Sequence, residues 1–430
     1  MANASAFTRR RLLGGALGAA ALGTLAACGS NSGTGSQTGG GGGGSASSVA
    51  LSQWYHQYGE AGTQEAAKKY AAAYTDAKVT IQWIPGDYDA KLTSGLSSGS
   101  GPDAFEGHLS RSLVASGQIV ALDDLIADVK DDYDPSDLVS SSIDGKLYAL
   151  PMIIDPQMIY FSKEALSAKG ITAIATVDDL ISAAAELTSG DVKGLFAGNT
   201  ANVDLGGMQG PAIFSTGGTF LTEDKKVGFD VAKVSDVLVK LRTLAQSKSL
   251  LLGNDTDWWD PTALNDGLCA MQWQGMWAVP GMAEVLGDDG IGAFPFPAAN
   301  ATDGKPAVVK GGWQAFVNAK SAHVDEAKAF TKWLWVDNLE DQEDWCLNYG
   351  FHIPPRKSLA AKAEKLQSGV AAESVKLNTD HGIANSPEWT PAMQTALSDA
   401  VTRIIGKNAD PEKELNAAVK KINSELAKIG

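Results

Sequence analysis

Hydrophobic and polar positions change their period repeatedly along the first part of the chain. The apolar stretches "VALSQWY" and "VTIQWI" are each followed by a stretch with helical spacing, "TQEAAKKYAAAY" and "YDAKLTSGL". Period-two alternation is typical of strands, and a period near 3.6 residues is typical of helices. Because the two patterns alternate, they predict an α/β fold with a mostly parallel sheet.

Three later segments carry clearer helix signals. Thr176 and Asp179 have the spacing of a capping box ahead of an apolar helical face. The segment "DEAKAFTKWLW" places Ala327, Phe330 and Leu334 on one face, and "DPEKELNAAVKKINSELAKI" is typical of a terminal amphipathic helix. These patterns predict a helix at each of the three places.

The stretches that fit neither period are rich in Gly and Pro. They are "GSGPDAF", "GNTANVDLGGMQGP", "GAFPFP", "VVKGGWQ" and "GFHIPPR". In an open α/β sheet, the loops at the carboxyl ends of the strands line the ligand crevice. We therefore expect the functional residues to lie in or beside these loops.

The N-terminus has the pattern of an export signal. Arg9, Arg10 and Arg11 precede an uncharged stretch that ends in "LAAC", which resembles the bacterial lipobox with Cys28 as the lipidated residue. The uncharged stretch is too short and too weakly apolar for a membrane span, which needs about 20 apolar residues. We predict a twin-arginine lipoprotein signal over residues 1–27 and a flexible Gly/Ser-rich tether over residues 28–48. The protein is then expected outside the cytoplasm, anchored by lipid to the outer face of the cell membrane.

Composition limits the function classes. The body, residues 49–430, is long enough for two typical domains. The chain has 35 Lys and Arg against 50 Asp and Glu, a formal net charge of −15. Nucleic-acid binding needs clustered positive charge, so a nucleic-acid partner is not expected. Apart from Cys28, only Cys269 and Cys346 are present, which allows one disulfide at most.

Eight short motifs occur in the order seen in one family. They are "GPDAF", "LDDLI", "DGKLYALP", "MIYFSKEAL", "GLCAMQWQGMW", "GIGAFPFP", "GGW" with "DEAKAFTKWLW", and "IPPR". In this order the chain resembles the extracellular solute-binding proteins of the maltose-binding type. The resemblance implies a type II periplasmic-binding-protein fold, in which two α/β lobes close on a carbohydrate for the permease of an ABC importer. It implies no cofactor, no metal and a monomeric, non-enzymatic protein.

The resemblance also implies how the chain passes between the lobes. It places three crossovers at "LPMIID", "VVKGG" and "GFHIPP". The N-lobe is then residues 49–153 and 310–350, and the C-lobe is residues 154–309 and 351–430. This arrangement puts Cys269 in a C-lobe strand and Cys346 in an N-lobe helix, so we expect no disulfide between them.

Polar cleft residues are implied in three places. They are His56, Tyr58 and Glu60 after the first strand, Glu106 and His108 after "GPD", and Asp155 and Gln157 after the first crossover. Carboxylates bind sugar hydroxyls strongly, which favours a ligand-binding role for Asp155 over the alternative of a solvated hinge charge. A single histidine such as His56 is often a structural group. Arg111, one turn beyond His108, is a basic group near the cleft.

Aromatic candidates cluster in "DWWDPTALNDGLCAMQWQGMW". A strand over "CAMQWQ" would put Gln274 and Trp277 at its carboxyl end, and Trp277 occupies the aromatic position of the family. We expect one of Trp258 and Trp259 to stack on ligand and the other to pack on the lobe. After the second and third crossovers come Trp313 and Arg356. The other tryptophans considered are Trp54, Trp333, Trp335 and Trp345, which are expected in the core, and Trp389, which is left open.

Two other functions fit part of the pattern. A glycosidase also combines aromatic residues with paired carboxylates, but the sequence contains no HExxH, nucleophile-elbow, P-loop or CxxC motif. A binding protein for glycerol phosphate or another non-sugar solute needs basic groups at the cleft, and only Arg111 and Arg356 are placed there. The several aromatic residues instead favour a disaccharide or short oligosaccharide.

Overall fold

A computed structural model describes residues 49–198 and 206–429. The predicted signal, the tether and Cys28 lie outside the described residues. Strands and helices alternate in the first hundred of these residues, as predicted. Among the described residues, no helix is long and apolar enough to cross a membrane.

The strands form two main sheets and a short hairpin. The strands are β1 Ala50–His56, β2 Lys78–Ile84, β3 Ala104–Gly107, β4 Ser142–Ile143, β5 Lys146–Leu147, β6 Leu150–Pro151, β7 Asp155–Ser162, β8 Lys193–Phe196, β9 Cys269–Gly275, β10 Ile291–Phe294, β11 Val308–Gly311, β12 Gln314–Val317 and β13 Gly382–Ala384. The first sheet has the order β2-β1-β3-β12-β6. The second has the order β13-β11-β7-β9-β8, with β10 also paired to β7.

Helices pack around both sheets. The helices are α1 Thr63–Ala73, α2 Tyr88–Ser98, α3 Arg111–Ala115, α4 Pro135–Ser140, α5 Lys163–Ala168, α6 Val177–Leu187, α7 Gln209–Phe214, α8 Val231–Gln246, α9 Thr262–Asn265, α10 Val279–Leu286, α11 Val324–Lys332, α12 Leu339–Leu347, α13 Lys357–Ala360, α14 Gly369–His381, α15 Pro391–Lys407 and α16 Pro411–Ile429. A π-helical turn, Trp333–Asp337, continues α11. The capping box at the start of α6, the apolar face of α11 and the terminal helix are confirmed.

The sheets are less parallel than the sequence predicts. Strands β1, β2 and β3 pair in parallel as expected. However, β12 runs antiparallel to β3 and β6, and β7 runs antiparallel to β9, β10 and β11. The sequence pattern missed this because β12 enters the first sheet directly from the second. Its direction is therefore set by that connection and not by a helical crossover.

Buried side chains pack on both sheets, and one of the buried clusters includes residues of both. In the first lobe, built on the first sheet, Phe105 stacks on Phe316 at 5.2 Å between ring centroids, and Trp54 packs nearby. Tyr55 faces the opposite side of the sheet, against Trp345, which is the alternation typical of a strand. In the second lobe, built on the second sheet, Trp273 on β9 is fully buried.

The two sheets are joined by extended segments that lie side by side. Residues 152–154 connect β6 to β7, and residues 312–313 connect β11 to β12, at the predicted first and second crossovers. Met152 donates its N–H to Trp313 O, and Ile154 exchanges backbone hydrogen bonds with Ile353. The predicted third crossover therefore lies beside the first. The number of crossovers and the exact lobe boundaries stay predictions.

Gly312 is required where the connecting segments touch. Its φ is +131°, and a Cβ atom there would lie 2.1 Å from the carbonyl oxygen of Ile153. Only glycine adopts this backbone conformation readily. The close approach thus explains one of the two glycines in "VVKGG".

The two cysteines lie in different elements of the fold. Cys269 begins β9 and Cys346 lies in α12, as the resemblance implied. Both are free and buried. Burial raises the pKa of each thiol above its ordinary value, so both are protonated and unreactive near neutral pH.

Candidate ligand-binding cleft

A cleft of about 1610 Å³ opens between the two lobes. It contains six of the residues predicted from the sequence. They are His108 and Trp313 from the first lobe and its connection, and Asp155, Gln157, Trp258 and Trp277 from the second. Aromatic faces and a few polar groups are the usual lining of a small-molecule site.

Trp313 is held from behind by the first lobe. Its ring stacks on His56 with centroids 4.0 Å apart and planes at 14°, and His108 lies 4.5 Å away. Because Trp313 lies in the segment that connects the sheets, its position depends on the relative placement of the lobes. His56 does not line the cleft itself; it supports the tryptophan that does.

The carboxylate of Glu106 lies beneath this support and is fully buried. Its Oε1 accepts the backbone N–H of His56 at 2.7 Å and lies 2.5 Å from the imidazole Nδ1. Its Oε2 accepts the hydroxyl of Tyr58 at 2.7 Å. Burial and the nearby Glu106 charge raise the pKa of Tyr58, which keeps this hydroxyl protonated. Glu106 therefore fixes His56 and Tyr58 from inside the lobe.

Trp277 lies on the turn that follows β9. Its Nε1 donates to Trp259 O at 3.1 Å, and its centroid is 6.2 Å from that of Trp258. The ring folds back over Gly275, where a Cβ would lie 1.8 Å from a ring carbon. A buried amide fixes the adjacent turn, because Gln272 Nε2 donates to Trp258 O at 2.8 Å and to Asp260 O.

Trp389, which the sequence left open, also lines the cleft. It stacks on Phe220 with centroids 4.6 Å apart and planes at 18°. Its Nε1 donates to Gln394 Oε1 at 2.8 Å. This tryptophan is mostly buried, so only a small part of it meets the cleft.

The charge of the cleft is mainly negative. Its charged lining residues are Asp87, Asp89, Asp137, Asp155, Asp399 and Lys310. Lys310 Nζ lies 2.5 Å from Asp137 Oδ1, and both side chains are largely buried. Burial raises the pKa of Asp137, and the ammonium of Lys310 opposes that shift. The single cation of the described lining is thus already paired.

The lobes touch at the mouth of the cleft. Arg111 of the first lobe binds Glu388 of the second, and its N–H donates to Pro387 O at 3.0 Å. Arg111 also binds Asp144 at 2.7 and 2.9 Å, which lowers the pKa of Asp144 to about 2. Lys225 of the second lobe lies 3.0 Å from Glu388. We call these four side chains the mouth clasp.

The chain matches a known protein family. The model of the family "Bacterial extracellular solute-binding protein" matches residues 53–335, more than half of the chain. The chain belongs to this family. That family is defined by solute binding rather than by catalysis.

Solved structures share the fold of this solute-binding protein. A solute-binding protein of an ABC transporter from Thermotoga lettingae, bound with α-D-tagatose, has a TM-score of 0.75 at 19% identity and covers 88% of this chain and 100% of its own. The GacH receptor of Streptomyces glaucescens has a TM-score of 0.74 at 21% identity, covering 89% and 98%. A cyclic α-maltosyl-1,6-maltose binding protein from Arthrobacter globiformis has a TM-score of 0.66 at 21% identity, covering 88% and 99%.

Several predicted site residues of this solute-binding protein lie outside the cleft lining. Glu60 faces His352 instead, with its Oε1 3.5 Å from the imidazole Nε2. Gln274 is fully buried, and its own Oε1 accepts the N–H of Gly275. Its orientation follows from strand alternation, because Gln274 and Trp273 face opposite sides of β9 and both sides are covered.

Arg356 and Trp259 also lie elsewhere. Arg356 Nε donates to Asp132 at 2.7 Å and its Nη1 donates to Val336 O, which uses the guanidinium within the first lobe. Trp259 is 47% exposed on the outside, beside Gly59, so Trp258 is the member of this pair that reaches the cleft. Spacing alone does not distinguish the two neighbours.

Sequence reasoning missed some lining residues. Gln209 and Asn385 line the cleft, and both lie at or next to loops rich in Gly and Pro. The sequence places His352 in the loop "GFHIPPR" without indicating a role, but in the structure its imidazole contacts the carboxylate of Asp155. The loops rich in Gly and Pro correctly indicated where the cleft lies. Which of their side chains face the cleft depends on the packing of the two lobes.

Proposed function

We propose that this protein is the substrate-binding component of an ABC importer. It captures a neutral carbohydrate, of disaccharide or short oligosaccharide size, in the cleft between its lobes and delivers it to the membrane permease. The observation that carries the proposal is the combination of Trp277 and Trp313 with Asp155 and Gln157 in one cleft. A sugar ring has an apolar C–H face for an aromatic plane and hydroxyls for polar partners.

The charge of the lining supports a neutral ligand. Five carboxylates and one paired ammonium would repel a phosphate ester or a sugar acid. Arg356 is used by Asp132, and Arg111 is used by Glu388 and Asp144. The two basic groups that an anionic ligand would need are therefore already paired.

Structures of the same fold support the ligand class. The Streptomyces receptor is described in complex with acarbose, and the Thermotoga protein with tagatose. The Arthrobacter protein is described as binding a cyclic maltose derivative. The size of the cleft, about 1610 Å³, exceeds the roughly 300–1,000 Å³ of a typical small-molecule pocket and suits more than one sugar ring.

A thermal-shift panel tests this function. The Cys28→Ala protein, which carries no lipid, is heated with neutral mono-, di- and oligosaccharides and with glycerol phosphate. A ligand at 100 times its Kd stabilises the folded state by about 2.7 kcal/mol, so at least one neutral sugar should raise the melting temperature. Stabilisation by glycerol phosphate alone would contradict the proposal. Chromatography of the incubated sugars checks for hydrolysis, which is not expected.

We also infer the location and anchoring of the protein. An extracellular solute-binding protein acts outside the cytoplasm, and the signal pattern over residues 1–27 supports export. Lipid on Cys28 and a tether over residues 28–48 would then hold a monomer at the outer face of the membrane. Fractionation of wild-type and Cys28→Ala cells tests this. The variant is expected in the soluble extracytoplasmic fraction, and a membrane-bound variant would contradict the anchor.

A further inference from the structure

Three ionisable side chains meet where the segments connecting the sheets lie side by side. Glu60 comes from the loop after β1, Asp155 begins β7, and His352 lies in the segment after α12. His352 Nδ1 is 2.5 Å from Asp155 Oδ1, and its Nε2 is 3.5 Å from Glu60 Oε1. The imidazole is 2% exposed. We call this group the hinge array.

The geometry of the hinge array favours a protonated imidazole at His352. A neutral imidazole has one N–H and can direct it at only one of the two carboxylates, whereas the protonated ring directs an N–H at Asp155 and also holds its positive charge 3.5 Å from Glu60 Oε1. Burial opposes a charge on His352, yet its pKa is raised because Asp155 and Glu60 favour the protonated form. Burial likewise raises the pKa of Glu60, and His352 opposes that shift.

The other titratable groups around the array do not replace this charge. Tyr58, Tyr160 and Cys346 face it from the first loop, β7 and α12, and burial raises the pKa of each, so they stay neutral. His56 lies nearby but is paired with Glu106. His108 lies in the cleft, where desolvation lowers its pKa.

Asp155 links the array to the ligand site. One of its oxygens meets His352, and the other has no hydrogen-bond partner among the described residues. The side chain lines the cleft. A carboxylate that is held at one oxygen presents its second oxygen in a fixed direction, which strengthens a directed bond to a hydroxyl.

We propose that His352 is a positioning residue, whose protonated ring fixes the Asp155 carboxylate toward the sugar and ties it to Glu60 of the opposite lobe. This proposal rests on the proposed function. It extends that function by making sugar affinity depend on one buried proton. The same contact joins the ligand site to the segments about which the lobes move.

The direction in which sugar affinity changes with pH follows from the raised pKa of His352. If sugar binding requires the protonated ring, affinity is highest below the pKa of His352 in the sugar-free protein, which lies above the ordinary value of about 6.5, and it falls as the pH rises through that value. Above that value the affinity for the sugar should fall by up to about tenfold per pH unit. A ring that only fills space would give no such dependence.

The test is a series of sugar titrations from pH 6 to pH 9.5 on the Cys28→Ala protein and three further variants made in it. His352→Gln cannot be charged, and it should bind more weakly at pH 6.5 and lose the alkaline fall in affinity. Glu60→Gln removes one carboxylate, so the fall should move to lower pH. His323→Gln, at the start of α11 and away from the cleft, should behave as the unaltered protein. Unchanged pH profiles in both His352→Gln and Glu60→Gln would overturn the proposal.

Nuclear magnetic resonance of the imidazole signals in the sugar-free protein gives an independent readout. The signal lost in His352→Gln should titrate above the ordinary value, and Glu60→Gln should lower that titration point. A His352 ring that titrates at or below the ordinary value of about 6.5 would overturn the proposal, whether or not sugar binds. A chain that binds no sugar at any pH would instead refute the proposed function, so the two failures are distinguishable.

Discussion

Removing the Trp277 ring separates a ligand platform from a core residue. Trp277 is partly exposed to the cleft and makes one side-chain hydrogen bond, to Trp259 O. By analogy with an aromatic anchor at an interface, Trp277→Ala should cost about 1–3 kcal/mol of binding, or roughly a 5- to 150-fold weaker Kd. The hydrogen bond contributes about 0.5–1.5 kcal/mol to stability and the ring is only partly buried against the core, so the unliganded fold should lose less than on removal of a fully buried tryptophan.

Trp273 provides the matched control for this substitution. It lies four residues earlier on β9 and is fully buried. Trp273→Ala should leave a cavity and cost about 3–5 kcal/mol of stability, while the folded fraction still binds sugar. Titration calorimetry and thermal unfolding on both variants give the comparison. The reasoning is refuted if Trp277→Ala binds normally and melts early.

Gly275→Ala tests the same site without removing the ring. The backbone at this position, φ −98° and ψ 160°, suits alanine, but the new Cβ would lie 1.8 Å from a carbon of the Trp277 ring. The ring must therefore move. We expect a loss of affinity in the same direction as in Trp277→Ala, with no alteration of the tryptophan itself. Unchanged affinity in Gly275→Ala would show that the position of the ring does not matter.

Three further predictions concern the lobes and their connection. Arg111→Met breaks the ion pair between Arg111 and Glu388 in the mouth clasp. Sugar should then dissociate faster and bind about fivefold more weakly at low salt, with a smaller effect at high salt. A sugar dissociation rate that does not depend on salt would contradict this prediction. Gly312→Ala places a Cβ 2.1 Å from Ile153 O and should sharply lower the melting temperature. The control Gly117→Ala is also at positive φ but has open space around it, so it should lower the free energy of unfolding by only about 1 kcal/mol. Small-angle scattering should show a smaller radius of gyration at saturating sugar than without it, and identical curves would count against hinge closure.

Local signals predicted much of the fold. The Thr176–Asp179 capping box and the terminal helix depend on neighbours within a few residues, and both appear as expected. The strand over "CAMQWQ" and the turn after it are also present. The antiparallel return of β12 was not predictable from period alone, because strand direction depends on connections between distant segments.

Site residues were harder to predict because spacing gives an approximate position but not a direction. Trp258 and Trp259 are adjacent, yet only Trp258 lines the cleft. Glu106 lies on β3 and Glu60 in the loop after β1, and both carboxylates meet histidines that come from other parts of the fold. Such buried partners are needed to offset the cost of desolvating a charge, and they are set by tertiary packing.

A crystal structure of the protein saturated with the neutral sugar that binds most tightly tests the central claim most directly. We expect one sugar in the cleft between the lobes, with a ring face on Trp277 or Trp313 and a hydroxyl within hydrogen-bond distance of Asp155. A sugar bound on the outer surface of either lobe, with the cleft empty, would contradict the account.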